Sequence, residues 1–186
     1  VILASGSGST FQAIVEAEAK NQLSTKTIAL IVDRESQALE RAKNLKIPSY
    51  HVNYKSDPGT FEQRLAAQLN ELNPDCVLLC GFLRKIPVEV IEKFKGRIFN
   101  SHPSLLPRHG GAGLYGSKVH EAVIKSKDVE TGITFHHVTE HYDEGPVVEQ
   151  KRILVSASDT AQTLEEKVKA VEKEFIIEQL KKLSSR

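Results

Sequence analysis

Strand-like and helix-like segments alternate along the first hundred residues, and nothing else in the chain restricts the possible folds as much. Residues 1–4 are apolar and read as a strand. Residues 10–20 follow as a helix, with Phe11, Ile14, Val15 and Ala19 recurring on one face. Residues 28–32 and 49–52 read as strands, and residues 37–45 and 61–72 as helices, the second with Phe61, Leu65, Leu69 and Leu72 aligned. A buried strand is expected over 76–79. Pro87 suits the first position of a short helix running to residue 94, and residues 97–100 form the next strand. This rhythm predicts an α/β open sheet, mostly parallel, with helices on both faces. The second half is less regular. An irregular stretch over 101–115 precedes a helix at 116–125, strands at 133–139 and 147–155, and an amphipathic helix at 159–183. Its expected inner stripe is Leu164, Val168, Val171, Phe175 and Leu180. The later strands are expected to be partly antiparallel. One domain over 1–186, with halves meeting near residue 100, accounts for the whole pattern.

Charge narrows the choice of partners. Lys and Arg total 25 against 24 Asp and Glu, a formal net charge of +1, so a nucleic-acid or membrane-surface binder is not expected. Any anionic ligand must be held by local groups. No apolar run approaches the roughly 20 residues of a membrane span, and no basic leader precedes the opening strand, so the reading is cytoplasmic. The chain contains no methionine, and a few residues ahead of Val1 are expected. The two cysteines, Cys76 and Cys80, lie about 13 Å apart on an extended strand at roughly 3.3 Å per residue, too far for a disulfide. They are expected to be buried core thiols.

Three segments can carry chemistry. Ser5-Gly-Ser-Gly-Ser-Thr10 directly follows the first strand and opens the first helix, where backbone N–H groups and the helix terminus favour a phosphate. A dinucleotide fingerprint would need glycine where Phe11 stands, and a nucleotide P-loop would need a Gly-Lys-Ser/Thr ending. Asp33, at the end of the second strand, could imitate a ribose-gripping acid. The alternative is a plain turn capped by Ser9 or Thr10. The second segment is Asn100-Ser-His102 at a strand's carboxyl end, where open sheets place their sites. There an amide donor and an imidazole could flank one reacting carbonyl. Six of the seven histidines fall between His102 and His141. The pair at helical zinc spacing, His137 and His141, straddles a strand and its exit loop, so no metal is expected. The third is Asp143, on a loop ending at Gly145, whose carboxylate could orient a histidine and raise its pKa.

Asn100-Ser-His-Pro-Ser-Leu-Leu-Pro107, Thr131-Gly-Ile-Thr-Phe-His-His-Val-Thr139 and Tyr142-Asp-Glu-Gly-Pro146 together resemble the folate-dependent formyltransferases. The opening Ser5-Gly-Ser-Gly-Ser-Thr-Phe-Gln-Ala-Ile14 is similar to that of the branch that formylates glycinamide ribonucleotide. The resemblance implies a Rossmann-like domain that uses 10-formyltetrahydrofolate as cosubstrate, with no metal, as a monomer or homodimer. Asn100, His102 and Asp143 match the family's catalytic trio. Gly8, Ser9 and Thr10 match its phosphate loop, and Pro103 and Glu172 match positions that meet the glycinamide substrate. Leu83, Arg84, Lys85 and Ile86 match the stretch whose backbone lines the pterin pocket. Thr139, Glu140, His141, Tyr142 and Asp143, together with Asn100, match the remainder of the folate site. The resemblance further implies a protonated His102 held by Asp143. Thr10 and Ser7 stand where that branch usually has asparagines, and Lys169 where it commonly has glutamine. The chain length is expected to hold the catalytic domain without the added domains of related hydrolases and tRNA formylating enzymes.

Overall fold

The computed structural model describes residues 1–185. Its elements are β1 (Ile2–Ala4), α1 (Ser9–Ala19), β2 (Leu30–Val32), α2 (Gln37–Asn44), β3 (Ser49–His51), α3 (Phe61–Leu72), β4 (Val77–Cys80), α4 (Val88–Lys93), β5 (Ile98–His102), α5 (Ser117–Lys125), β6 (Glu130–His137), β7 (Val147–Leu154) and α6 (Ala161–Ser184). Among the described residues the sheet has seven strands in the order β3-β2-β1-β4-β5-β6-β7. β1 pairs in parallel with β2 and with β4, and β2 with β3, while β6 and β7 are antiparallel. The open, mostly parallel sheet expected from the alternating periods is present, with its antiparallel pair late in the chain. The chain divides into two compact units, Val1–Phe99 and Asn100–Arg186.

In the first unit the central strands are buried on both faces, which explains why they read as continuous apolar runs rather than alternating ones. Leu3, Leu30 and Ile31 are fully enclosed, and Phe11, Ile14, Leu65 and Leu69 from α1 and α3 complete the core. Each such side chain stabilises the fold by about 1.5–3 kcal/mol. β2 starts at Leu30 rather than at residue 28, because the ladder with β1 begins at Ile2↔Leu30 and Ile28 is 38% exposed. The order of the strands reverses at β1, which has β2 on one side and β4 on the other. The loops that follow β1 and β4 therefore leave side by side at the carboxyl edge, where such sheets hold ligands. The cysteines correct the sequence reading. Neither forms a disulfide and both are only half-buried, one just before β4 and the other at its last residue. Burial still pushes the Cys76 thiol above its ordinary pKa.

In the second unit, β6 pairs with β7 from Glu130↔Leu154 to Phe135↔Glu149, and a register shift follows at Phe135/His136. That long antiparallel pairing carries β6 back to Glu130 and through Gly132, ahead of the expected start. α6 packs on β6, β7 and α5. Its N-terminus is closed by a reciprocal capping box between Thr160 and Thr163. Leu164, Val168, Phe175 and Leu180 face inward as expected, whereas Val171 is half-buried and Ile176 and Gln179 take inner positions instead. Among the described residues no helix is long and apolar enough to cross a membrane.

Candidate active site

β5 extends two residues beyond its expected end, so Asn100 and His102 lie within the strand. Successive residues of a strand face opposite sides. Asn100 and His102 therefore share one face, and Ser101 points to the other. Asp143 approaches the first face from the loop between β6 and β7. It stands in the left-handed region at φ 59°, a conformation that aspartate tolerates better than most residues. Its Oδ2 accepts the Gly111 N–H at 2.9 Å and lies 3.4 Å from His102 Nδ1. Its Oδ1 lies 3.4 Å from Asn100 Nδ2 and 3.6 Å from His136 Nε2. The carboxylate, 10% exposed, thus gathers two imidazoles, an amide and a backbone N–H.

Hydrogen-bond chemistry assigns the protons. His136 Nδ1 lies 2.9 Å from the carbonyl of His137. A carbonyl only accepts, so Nδ1 carries the hydrogen, and Nε2 lies between Asn100 Nδ2 at 3.1 Å and Asp143 Oδ1 at 3.6 Å. Asn100 Nδ2 thus has both His136 and Asp143 within reach. By the same reasoning His102 Nε2, 2.8 Å from the carbonyl of His109, carries a hydrogen. His109 in turn bonds Asp128 Oδ2 through its Nε2 at 2.7 Å.

Burial opposes the charged form of His102. Enclosure lowers its pKa, and this outweighs the attraction of Asp143 and the bond to the His109 carbonyl, while His136 and His109 push the same way as burial. Burial works against the Asp143 carboxylate too. There the polar contact with His136, the neighbouring His102 and the Gly111 N–H prevail and hold its pKa below the ordinary value.

His120 and His137 are likewise lowered, chiefly by burial. All three histidines then carry fewer protons folded than unfolded just below the ordinary value of 6.5. Their contribution to stability is complete above that value and is lost as pH falls through their lower folded values. The urea midpoint is expected to begin falling as pH drops below about 6.5, ahead of any carboxylate titration, and a His120→Gln variant should show a shallower fall. A midpoint that stays flat between about pH 7 and 5 would contradict this assignment.

Other expected residues of this unit are placed as follows. Pro103, half-buried, follows β5 directly. Glu172 on α6 accepts a 2.5 Å hydrogen bond from Ser101 Oγ. Thr139 is half-buried, whereas Glu140, His141 and Tyr142 are exposed, so Asp143 is the part of that loop that turns inward. Lys169 pairs with Glu165 along the α6 surface. Among the described residues no group of three or more His, Cys, Asp or Glu is arranged to hold a metal ion.

The first unit carries the glycine loop. Gly8 is the N-cap of α1 at φ 71°, with no side-chain cap hydrogen bond, so the alternative of a turn capped by Ser9 or Thr10 is not met. Ser9 is the first helical residue, and Thr10 is buried in the first turn. Glycine is required at position 8. A Cβ there would sit 2.7 Å from that of Ala38, in addition to the left-handed backbone. Arg41, from α2, donates its Nε to the Ser7 carbonyl at 2.8 Å and bonds Gln12. The loop therefore has a local cation that no sequence signal had marked.

The loop after β4 meets the loop after β1. Leu83 N–H donates to Ser5 Oγ at 2.9 Å, and Ser5 N–H donates to the Gly81 carbonyl. Asp33 does not await a ribose. It is 1% exposed and holds Arg34 and Arg84, each at 2.9 Å, and burial is outweighed by these partners and Ser5, leaving its pKa lowered. Arg84 also stacks on Tyr54, 3.8 Å from the ring centre. Lys85 is exposed and Ile86 buried. Because Leu83 N–H is already engaged, the backbone groups left for a ligand in this stretch come from the other positions. Arg64 is tied to the carbonyls of Asn53 and Asp57.

Sequence reasoning missed His109, His136 and Arg41. The crowding of histidines between His102 and His141 was the available signal for the first two, which belong to a hydrogen-bonded network.

The formyl transferase family model matches residues 1–180. The chain is 32% identical over 191 residues to a phosphoribosylglycinamide formyltransferase of Bacillus subtilis, covering all of this chain and 95% of that one. It is 41% identical over 180 residues to a chloroplastic phosphoribosylglycinamide formyltransferase of Vigna unguiculata, covering 95% of this chain. It spans 58% of that relative's length and 62% of an Arabidopsis thaliana counterpart's. The crystal structure of phosphoribosylglycinamide formyltransferase from Bacillus halodurans superposes with a TM-score of 0.91 at 34% identity, covering 100% of this chain and 94% of that one.

Proposed function

Since the chain belongs to the formyl transferase family, on its phosphoribosylglycinamide formyltransferase branch, we propose that it transfers a formyl group from 10-formyltetrahydrofolate to the amine of glycinamide ribonucleotide, a step of purine synthesis. The observation that carries this reading is the convergence of Asn100, His102 and Asp143 around one buried carboxylate. The two units serve as halves of one functional domain in a cytoplasmic setting, whereas the plant relatives are chloroplastic by name.

Attack of the amine on the formyl carbon creates an oxyanion and leaves one proton to move from the amine to the departing folate nitrogen. Asn100 can turn an N–H from His136 or Asp143 toward that oxyanion, and His102 can donate beside it. A negative charge forming next to His102 raises the proton affinity that burial has lowered. Asp143 is the ionised partner that then favours the imidazolium. Gly8, Ser9 and Thr10, with Arg41 close behind them, are assigned to the ribonucleotide phosphate through the α1 terminus. Glu172 and Pro103 are assigned to the glycinamide end. Leu83, Arg84, Lys85 and Ile86, and the loop from Thr139 through Glu140, His141 and Tyr142 to Asp143, are assigned to the folate.

The test is an assay of formyl transfer with purified protein and both substrates, run beside a control lacking the amine. Product that depends on the amine supports the reading. Formate release at equal rate without the amine would instead mark a hydrolase, and folate-independent nucleotide binding without turnover would mark a noncatalytic module.

A further inference from the structure

His109 belongs to no motif described above, yet it touches the central imidazole. Its backbone carbonyl accepts from His102 Nε2 at 2.8 Å, and its own side chain is bonded to Asp128 at 2.7 Å. Two residues on, Gly111 N–H holds the Asp143 carboxylate. One short segment thus grips both members of the His102–Asp143 pair. His109 also has φ 53°, a conformation that a non-glycine residue adopts at a cost of about 1–3 kcal/mol when the surroundings impose it. The Asp128 bond supplies such an anchor. It joins the segment to the turn between α5 and β6, outside the cluster. Further bonds secure the same segment, with Ser104 Oγ donating to the Arg108 carbonyl and Leu106 N–H to Thr134 Oγ1.

We propose that His109 is a positioning residue for His102. Anchored on Asp128, it presents its carbonyl to Nε2, fixes the ring with the hydrogen on that nitrogen, and leaves Nδ1, beside Asp143, as the nitrogen that gains and loses a proton. The titratable groups facing His102 in this arrangement are Asp143, His136, His109 and His120. The idea rests on the reading above only for what His102 does in turnover. The state of the ring can be observed without turnover.

The experiment uses full-length protein labelled with 15N-histidine, and it pairs imidazole NMR with steady-state kinetics. At a pH where His102 is neutral, its Nε2 should show the protonated shift and Nδ1 the unprotonated one. His109→Leu should mix the two tautomers and lower kcat by roughly 10- to 100-fold, the scale of a misplaced reacting group. KM for either substrate should change less than about twofold, as when an interaction specific to the transition state is lost. His109→Gln, whose amide can still donate to Asp128, should restore both readouts. Asp128→Ala should reproduce the His109→Leu effect, with no further loss when the two are combined. It also serves as the second route if His109→Leu fails to fold. Wild-type protein with the hydrogen on Nδ1, or either variant losing activity with its ring tautomer unchanged, would overturn the proposal. A correct tautomer in a protein that transfers no formyl group would overturn the functional reading instead.

Discussion

Asp143→Asn is expected to fold as the parent does and to lose roughly 10²–10⁴ in kcat, the range associated with a positioned acid–base partner. The substitution keeps shape and tolerance of the left-handed backbone, and the amide oxygen can still accept the Gly111 N–H. What disappears is the charge facing His102 and the second oxygen that accepts from Asn100 Nδ2. With burial already pressing His102 toward its neutral form, nothing ionised would remain to stabilise the imidazolium when the oxyanion forms. Asp143→Ala removes more, because the Gly111 N–H and one Asn100 N–H lose their acceptor, at about 1–3 kcal/mol for each group left buried and unpaired. Comparing the two variants separates chemistry from folding. Turnover within about threefold of the parent in a well-folded Asp143→Asn protein would remove this carboxylate from the mechanism.

The largest stability effect is expected at Gly145. A Cβ added there would fall on the carbonyl oxygen of His137 and only 2.8 Å from its carbon, with Thr139 at 3.3 Å. The obstacle is backbone, held by the hydrogen bond from His137 N–H to the Pro146 carbonyl, so no rotamer change relieves it. Overpacking costs about 1–3 kcal/mol where side chains can yield, and Gly145→Ala should exceed the upper figure. For a chain of this length that corresponds to a fall of roughly 6–12 °C in Tm. Gly6→Ala, where a Cβ meets nothing within 4 Å, serves as the control and should stay within about 0.5 kcal/mol of the parent. Calorimetry on both variants is decisive, since equal Tm values would mean the connection between β6 and β7 yields freely. Asp143 lies two residues before this glycine, so any Gly145→Ala protein that folds should also turn over slowly.

The parts of the fold legible in the sequence were those governed by local periodicity. The strands and helices up to β5 show themselves because each buries a continuous run or a 3.6-residue stripe, and Phe61–Leu72 agrees to the residue. Pairing between strands is not local, which is why β6 begins earlier than its apolar residues suggest and β2 begins later. The trio was legible through its motif, and Asn100, His102 and Asp143 do meet. His136 and His109 were not, because their roles depend on which carbonyl stands opposite each ring nitrogen, a matter of tertiary placement. The burial of His102 was not legible for a related reason. A neighbouring carboxylate can be inferred from a motif, but the depth of burial that opposes it cannot. Cys76 and Cys80 illustrate the converse. Their apolar neighbours suggested enclosure, yet Cys76 just precedes the four-residue strand and Cys80 ends it, and both are only half-buried.

β5 places its polar side chains on two fronts. Asn100 and His102 meet the Asp143 cluster, while Ser101 between them reaches Glu172 on α6. A shift of one residue in this strand would exchange the fronts entirely, so an insertion or deletion within it could not be absorbed as a loop absorbs one. The same alternation makes the two fronts separately adjustable. Changes at position 101 act on Glu172 while the His102–Asp143 side is left in place, so Ser101 is the position from which the contact with α6 can be altered alone.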